Sequence, residues 1–242
     1  MSSSSSTVQN SEQRLSGTNR RVFIHPSTHY VVGTTGSGKS SSVQEMIRQS
    51  DELFSEPIER VVVYLGAPDE GWKNLARADR RVKLYQHLPE PQQIEDMIKS
   101  HKGCNLAVIM DDLSTELVSC RDPQLISLFS KISSHFNTSF FVLSQFLFYS
   151  QSSGVLRNIQ RNAAYLHLYA NPRFISDICT ISLQLMGPGY SRSFIKMYNI
   201  ATDPPGGSVI ALLHKRNNRK YRFVNGLSLL SGGKVKFYQL QK

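Results

Sequence analysis

The fold of this 242-residue chain is constrained most by seven short runs that are rich in β-branched and aromatic residues. Longer polar segments separate these runs. Runs this short and apolar are typical of strands that are buried on both faces of a sheet. Because they alternate with helical segments, they predict crossover connections and a parallel sheet. The runs are THYVV (28–32), RVVVYLG (60–66), RVKLY (81–85), NLAVIM (105–110), SFFVLSQ (139–145), AAYLHLY (163–169) and SVIALL (208–213).

The segments between these runs complete the predicted fold. Helical patterns cover 40–54, 91–102, 122–136 and 171–186. The PPGG at 204–207 predicts a turn, and the segments RKYRFVNGL (219–227) and KVKFYQL (234–240) predict late, exposed strands or a hairpin. The predicted fold class is therefore α/β, with a mostly parallel central sheet flanked by helices in three layers, plus late antiparallel strands.

The chain is expected to form one folded domain after a polar tail. Residues 1–20 are rich in serine and predict disorder. They lack the apolar core of a signal peptide, and no apolar run reaches the about 18 residues that a transmembrane helix needs. No linker or internal repeat divides residues 21–242, which end in a basic segment over 214–242. The cysteines Cys104, Cys120 and Cys179 lack metal-ligand spacing and are expected to be reduced thiols in an intracellular protein.

The stretch VVGTTGSGKSSS (31–42) predicts a phosphate-binding loop. Gly33, Gly38, Lys39 and Ser40 fit the pattern G-x-x-x-x-G-K-[ST], with a predicted strand before it and a predicted helix after it. Glycines allow successive N–H groups to face one anion, and the helix start adds its own N–H groups. We expect Lys39 to reach the β- and γ-phosphates and the Ser40 hydroxyl to bind Mg²⁺. The predicted nucleotide-binding residues are Gly33, Thr34, Thr35, Gly36, Ser37, Gly38, Lys39, Ser40 and Ser41. The alternative is a flexible Gly/Ser turn that matches by accident.

Two carboxylates follow the fourth predicted strand. Asp111 and Asp112 end the segment NLAVIMDD, and the carboxyl end of a parallel strand lies beside the phosphate loop in sheets of this type. We predict that Asp111 is a Mg²⁺ ligand, usually through water, and that Asp112 orients or deprotonates the attacking water. The alternative for Asp112 is that it caps the next helix.

Gln145 ends the predicted strand SFFVLSQ and is expected beside the two aspartates. There it would sense the γ-phosphate or position water. The alternative is a strand-end hydrogen bond to a loop.

Charge is divided unevenly along the chain. Residues 1–122 carry 14 Lys/Arg and 16 Asp/Glu, a net charge of −2, whereas residues 123–242 carry 14 Lys/Arg and only Asp177 and Asp203, a net charge of +12. Such asymmetry raises affinity for phosphates without any contact to bases, which favours a polyanionic partner. The alternative is a solvated basic face.

In the order in which these motifs follow one another, the chain resembles the viral genome-packaging ATPases of the FtsK–HerA superfamily. This branch of the superfamily is found in poxviruses, giant viruses, virophages and polinton-like elements. The resemblance covers about residues 21–226. Beyond the phosphate loop, it lies in four segments. They are VIMDDL (108–113), SSHFNTSFFVLSQFLF (133–148), LRNIQRNAAYLHLYANPRF (156–174) and MYNIATDPPGGSVIALL (197–213).

The resemblance implies a P-loop fold of the RecA/FtsK–HerA type, with ATP bound at residues 33–40. It also implies a homo-oligomeric ring in which an arginine of one subunit reaches the nucleotide of the next. Arg157 is the first candidate, followed by Arg161 and Arg173. An arginine suits that role because it spreads fixed positive charge over the phosphoryl oxygens. For each of them the alternative is a DNA-binding or merely exposed arginine. The sequence departs from the family pattern at Ala170 and Phe174 and in SSHFNTS, which lacks the second histidine and the arginine common there.

The predicted function is an ATP hydrolase that translocates double-stranded DNA into a capsid. Its cofactors would be ATP and Mg²⁺. Its partners would be double-stranded DNA, further copies of itself and capsid or portal proteins, with no membrane. It would act in the virion and at the host-cell site of assembly. Two alternatives are a replicative helicase-type ring ATPase and a nucleotide-switched, nonenzymatic capsid factor. A small-molecule kinase is disfavoured because it would have no use for the basic second half. A GTPase is disfavoured because this chain lacks the N-K-x-D motif that reads the guanine base.

Overall fold

A computed structural model describes residues 8–13, 20–119, 129, 136–148, 155–172, 175–232 and 234–241. The described strands form one ten-stranded sheet in the order β1-β10-β9-β8-β7-β2-β6-β5-β3-β4. The strands are β1 (Val8–Gln13), β2 (Thr28–Val32), β3 (Arg60–Leu65), β4 (Val82–Gln86), β5 (Leu106–Asp111), β6 (Thr138–Ser144), β7 (Tyr165–Tyr169), β8 (Ser208–Leu212), β9 (Phe223–Asn225) and β10 (Val235–Leu240). Every one of the seven apolar runs is a strand, β2 to β8.

The sheet has a parallel half and an antiparallel half. Strands β7, β2, β6, β5, β3 and β4 run parallel to one another, and β8, β9, β10 and β1 continue the sheet with antiparallel pairing that begins between β7 and β8. The late strands are confirmed as β9 and β10, but the prediction that they are exposed was wrong, because most of their apolar side chains are buried. In a parallel sheet all carboxyl ends lie along one edge, which is called the carboxyl edge below, and the opposite edge is called the amino edge.

Helices cover both faces of the sheet. They are α1 (Lys39–Arg48), α2 (Ser50–Leu53), α3 (Glu70–Ala78), α4 (Pro91–Ser100), α5 (Ser114–Ser119), α6 (Val155–Asn162), α7 (Ile175–Met186), α8 (Ser191–Thr202) and α9 (Gly226–Leu230). Because side chains alternate along a strand, each central strand contributes to two cores, with Val31 of β2 on one face and Val32 on the other. The helix expected over 122–136 lies almost wholly outside the described residues.

The amino-terminal segment differs from the expected disordered tail. Val8–Gln13 form β1, which pairs antiparallel with β10 over six residues. Nearby, Arg20 is buried, forms an ion pair with Glu52 and donates to the Leu229 carbonyl at 2.9 Å. A polar composition argues against a position in the core. Pairing with an outer strand of the sheet, however, needs only backbone N–H and C=O groups, and β10 offers these groups.

Two histidines are fully buried on one face of the sheet. His29 Nδ1 lies 3.1 Å from His167 Nε2, and the other ring nitrogen of His29 lies 3.1 Å from the Ser27 hydroxyl. Burial, aided by the neighbouring His167, holds the pKa of His29 well below its usual range, and burial lowers the pKa of His167 to about 3. Both imidazoles are therefore neutral in the folded protein at neutral pH.

We expect this pair to make the fold sensitive to mild acid. The unfolded chain binds protons at these histidines below about pH 6.5, whereas the folded chain does not, so the contribution is complete above that pH and is lost as pH falls. Each histidine adds a slope of up to about 1.4 kcal/mol per pH unit. Urea unfolding at pH 7.5 and 5.5 measures it. The variant His29→Gln/His167→Gln should show a shallower decline, and equal stability of the wild type at both pH values would contradict the prediction.

Candidate active site

The phosphate loop, residues 33–38, joins β2 to α1 at the carboxyl edge. Gly36 and Gly38 have φ of 77° and 93°, in the left-handed region that favours glycine. Gly33 is required for a different reason, since a Cβ there would lie 2.5 Å from the Tyr169 Cβ. The sequence pattern thus corresponds to a loop whose backbone only glycines allow at these three positions.

Lys39 lies under this loop. Its Nζ donates to the carbonyl oxygens of Gly33 at 2.7 Å and Thr34 at 2.8 Å, and the residue is buried. Burial lowers the pKa of Lys39, while Asp111 and Asp112 act in the opposite direction. The ammonium therefore lies near enough to interact electrostatically with Asp111, which ends β5, and with Asp112, which follows it.

Asp111, at the end of β5, is held by two donors. Its Oδ2 accepts from the Trp72 indole N–H at 2.8 Å, and its carboxylate accepts a hydrogen bond from the Ser40 hydroxyl. Burial raises the pKa of Asp111, and the hydrogen bonds of Ser40 and Trp72 partly offset that rise. A buried carboxylate beside a serine hydroxyl is an oxygen donor set that suits Mg²⁺, which keeps its remaining positions for water and phosphate. The described residues contain no group of three acidic, His or Cys side chains that would hold a metal by themselves.

Asp112 faces solvent beside Gln145. Its backbone has φ of 57°, and its Oδ1 lies 3.5 Å from the Gln145 Nε2, a long and weak contact. A Cβ on Gly66 would lie 2.0 Å from the Asp112 carbonyl oxygen, so β3 and the end of β5 touch at this point. The left-handed backbone of Asp112 sets the direction in which its carboxylate points.

These residues surround one cleft of about 370 Å³ at the carboxyl edge. Nine of the residues predicted from the sequence line it. They are Thr35, Gly36, Gly38, Lys39, Ser40, Ser41, Asp111, Asp112 and Gln145. Three further predicted residues, Gly33, Thr34 and Ser37, belong to the loop but do not line the cleft. Their roles in binding and catalysis stay predictions.

Several cleft residues were missed by the sequence analysis. Asp69 follows β3, caps α3 by accepting from the Trp72 N–H at 2.8 Å and lines the cleft. Ser114, at the start of α5, lines it as well. An acidic residue shortly after the strand at 60–65 was a signal for Asp69, because β3 also ends at this edge. Nothing in the sequence indicated the contact of Trp72 with Asp111.

No arginine lines the cleft in the described part of the chain. Arg157 and Arg161 lie exposed on α6, and Arg173 lies outside the described residues. The family resemblance implies that one such arginine reaches the nucleotide of a neighbouring subunit, so their role stays a prediction.

No family model and no curated protein matches this chain. Among solved structures it is similar to the cytoplasmic domain of the type VII secretion ATPase EccC of Thermomonospora curvata, with a TM-score of 0.52, 13% identity and coverage of 88% of this chain and 25% of that chain. A structure of EccC ATPases 2 and 3 from the same organism, in complex with a signal sequence peptide, gives a TM-score of 0.43, 12% identity and coverage of 62% and 31%.

The first of these likenesses establishes the fold. This chain spans about a quarter of the length of that EccC chain and shares the fold of the part that it matches. The predicted fold class, an α/β fold of the P-loop NTPase type with a mostly parallel sheet flanked by helices, is therefore confirmed. In the part of the chain that the structure describes, no helix is both long and apolar enough to cross a membrane.

Proposed function

We propose that the protein is an ATP-driven motor that moves double-stranded DNA into a viral capsid and hydrolyses ATP at the subunit interfaces of a homo-oligomeric ring. The observation that carries the ATPase part is the convergence of Lys39, Ser40, Asp111, Asp112 and Gln145 on one cleft. These residues come from three neighbouring strand ends, those of β2, β5 and β6.

Each side chain of the cleft has a chemical task in this proposal. Lys39 leaves the loop carbonyls and donates to the β- and γ-phosphates of ATP. Ser40 and Asp111 hold Mg²⁺, which when bound neutralises charge on the phosphate oxygens. Asp112, exposed and directed by its left-handed backbone, accepts a proton from the attacking water, and Gln145 orients that water.

The DNA part rests on charge. The second half of the chain carries a net charge of +12, and no acidic residue follows Asp203. Such a surface binds the phosphate backbone whatever the base sequence. The packaging role, the ring with Arg157 reaching the neighbouring nucleotide and the capsid or portal partner rest on the resemblance of the four motif segments. Under this proposal the protein acts in the virion and at the host-cell site of assembly.

The ATPase rate of the purified protein, with and without duplex DNA, tests the proposal. We expect stimulation of several-fold by duplex DNA. A rate unaffected by DNA would contradict a DNA motor. Capsid-filling and strand-displacement assays then separate packaging from a replicative helicase, since only the helicase unwinds a forked duplex.

Replacing Asp112 by asparagine should separate hydrolysis from binding. The amide side chain keeps the shape of the carboxylate but cannot accept a proton, so we expect kcat to fall about 100-fold with ATP affinity nearly unchanged. Asp96→Asn, on the exposed face of α4, makes the same charge change and should leave both values unchanged. A wild-type protein that binds ATP but never turns it over would instead indicate a nucleotide-switched capsid factor.

Trp72, the single tryptophan of the chain, should act as a positioning residue for Asp111. Trp72→Phe keeps an aromatic ring at this buried site but removes the N–H, which leaves Asp111 less firmly oriented. We expect the Mg²⁺ concentration for half-maximal ATPase to rise about tenfold, from the loss of about 1.4 kcal/mol. Affinity for Mg²⁺-free nucleotide should stay the same. An unchanged Mg²⁺ dependence would show that the contact only supports packing.

A further inference from the structure

The loop between β8 and β9, residues 213–222, lies at the amino edge of the sheet. Strand β8 is antiparallel to β7, with Ser208 opposite Tyr169 and Leu212 opposite Tyr165. Tyr169 is at the carboxyl edge, where it contacts the phosphate loop at Gly33. The chain therefore enters β8 near the ATP cleft and leaves it on the opposite edge. We name residues 213–222 the basic loop.

Exposed cations crowd the basic loop. Lys215, Arg216 and Arg219 are exposed, and none of them takes part in an ion pair within the described residues. Burial and the positive charges of Arg216 and Lys215 lower the pKa of His214. The acid-free stretch after Asp203 thus concentrates three unpaired charges on one short loop.

Hydrogen bonds anchor this loop to the rest of the domain. The side-chain amide of Asn217 donates to the Val22 carbonyl at 3.1 Å and accepts from the Tyr165 hydroxyl at 3.1 Å. The Leu213 N–H donates to the Ala164 carbonyl at 2.8 Å. Cations on an anchored backbone lose less conformational entropy on binding than cations on a flexible tail. This difference favours the interpretation that the loop binds a partner over the interpretation that it is only a solvated basic face.

The other end of β8 touches the phosphate loop. A Cβ on Gly38 would lie 3.1 Å from the Gly206 Cα, in the turn that leads into β8. Five residues of strand, about 17 Å long, then separate this contact from the basic loop. A displacement of the phosphate loop can therefore be transmitted to the basic loop through this one short, stiff strand.

We propose that the basic loop binds the sugar–phosphate backbone of duplex DNA and that β8 couples it to the ATP site. This inference rests on the proposed function and adds the surface that contacts DNA. Three exposed cations, which form no ion pair within the described residues, favour a phosphate backbone because its charges are closely and regularly spaced, with one about every 1.7 Å of duplex axis.

The test compares two triple variants. Lys215→Ala/Arg216→Ala/Arg219→Ala removes the loop charges. Arg80→Ala/Lys83→Ala/Lys102→Ala removes the same charge from exposed residues beside the amino ends of β4 and β5, on the far side of the sheet. The affinity for a labelled 30-base-pair duplex is measured by anisotropy at several salt concentrations, and thermal unfolding confirms that both variants fold.

We expect the loop variant to bind the duplex at least tenfold more weakly and to lose DNA stimulation of the ATPase. Its slope of log K against log salt should fall by about 2 to 3, because about 0.9 is lost per phosphate contact. The control variant should stay within twofold of the wild type. Equal weakening of both variants, or no weakening of the loop variant, would overturn the inference while leaving the motor proposal intact.

Two further outcomes separate the remaining possibilities. Polyglutamate that competes as well as DNA at equal charge would mean that the loop binds an acidic protein surface, which overturns the DNA assignment. A wild-type protein with no affinity for duplex DNA, even at low salt, would overturn the DNA part of the proposed function together with this inference.

Discussion

Replacing Lys39 by alanine is expected to weaken ATP binding about 100-fold and to abolish measurable hydrolysis. The Lys39 ammonium is buried beneath the phosphate loop and is the only cation that lines the cleft among the described residues. Charge-assisted hydrogen bonds contribute about 1.5 to 3 kcal/mol, and about 2.8 kcal/mol corresponds to 100-fold in affinity. A titration with a fluorescent ATP analogue measures the change.

The fold should survive this substitution because, among the described residues, Lys39 donates only to Gly33 and Thr34 of its own loop. Lys73→Ala provides the control, since Lys73 is paired with Glu70 on the surface of α3 and does not line the cleft. It should change affinity less than twofold. If Lys39→Ala bound ATP within threefold of the wild type, the cleft would not be a phosphate site of this type.

Replacing Gly66 by alanine is expected to lower kcat about 100-fold and to cost about 2 kcal/mol of stability. The new Cβ would lie 2.0 Å from the carbonyl oxygen and 2.8 Å from the carbonyl carbon of Asp112. Since both are backbone atoms, the end of β5 must shift and carry the carboxylate with it. Overpacking costs about 1 to 3 kcal/mol, and a displacement of about 1 Å at a catalytic group costs about 100-fold in rate.

Gly103→Ala is the matched control for this prediction. Gly103 has φ of 93°, so alanine there costs about 1 to 2 kcal/mol, but no atom lies within 4 Å of the new Cβ. It should reduce stability and leave kcat unchanged. Urea unfolding and steady-state kinetics on both variants separate the two effects. A Gly66→Ala protein with wild-type kcat would show that the position of Asp112 does not govern turnover.

The strands could be predicted because their signal is local. Each central strand is buried on both faces, so runs such as VVVYL and LAVIM mark their own positions. The helices α3 and α8 were not predicted, although both pack on the sheet. The apolar residues of α3 that are buried, Trp72 and Leu75, are few and stand among charged residues.

The members of the cleft could be predicted in part, because a parallel sheet brings every strand's carboxyl end to one edge. That rule placed Asp111, Asp112 and Gln145 near Lys39 without knowledge of the strand order. It gives no distances between neighbours. The Trp72 contact to Asp111 depends on the position of α3, which packs against α1 and β4, and the Gly66 contact to Asp112 depends on β3 pairing with β5.

The sequence by itself determined the strand positions, the phosphate loop and the charge of the second half, because apolar runs, glycine spacing and charge are properties of consecutive residues. Only the tertiary structure decided that β1 completes the sheet, that Trp72 and Gly66 contact the two aspartates, and that the basic loop lies on the edge opposite the cleft. Each of these features depends on which strands are neighbours and on the direction in which they run. Strand order and direction are determined by pairing and packing between segments that are far apart in the chain.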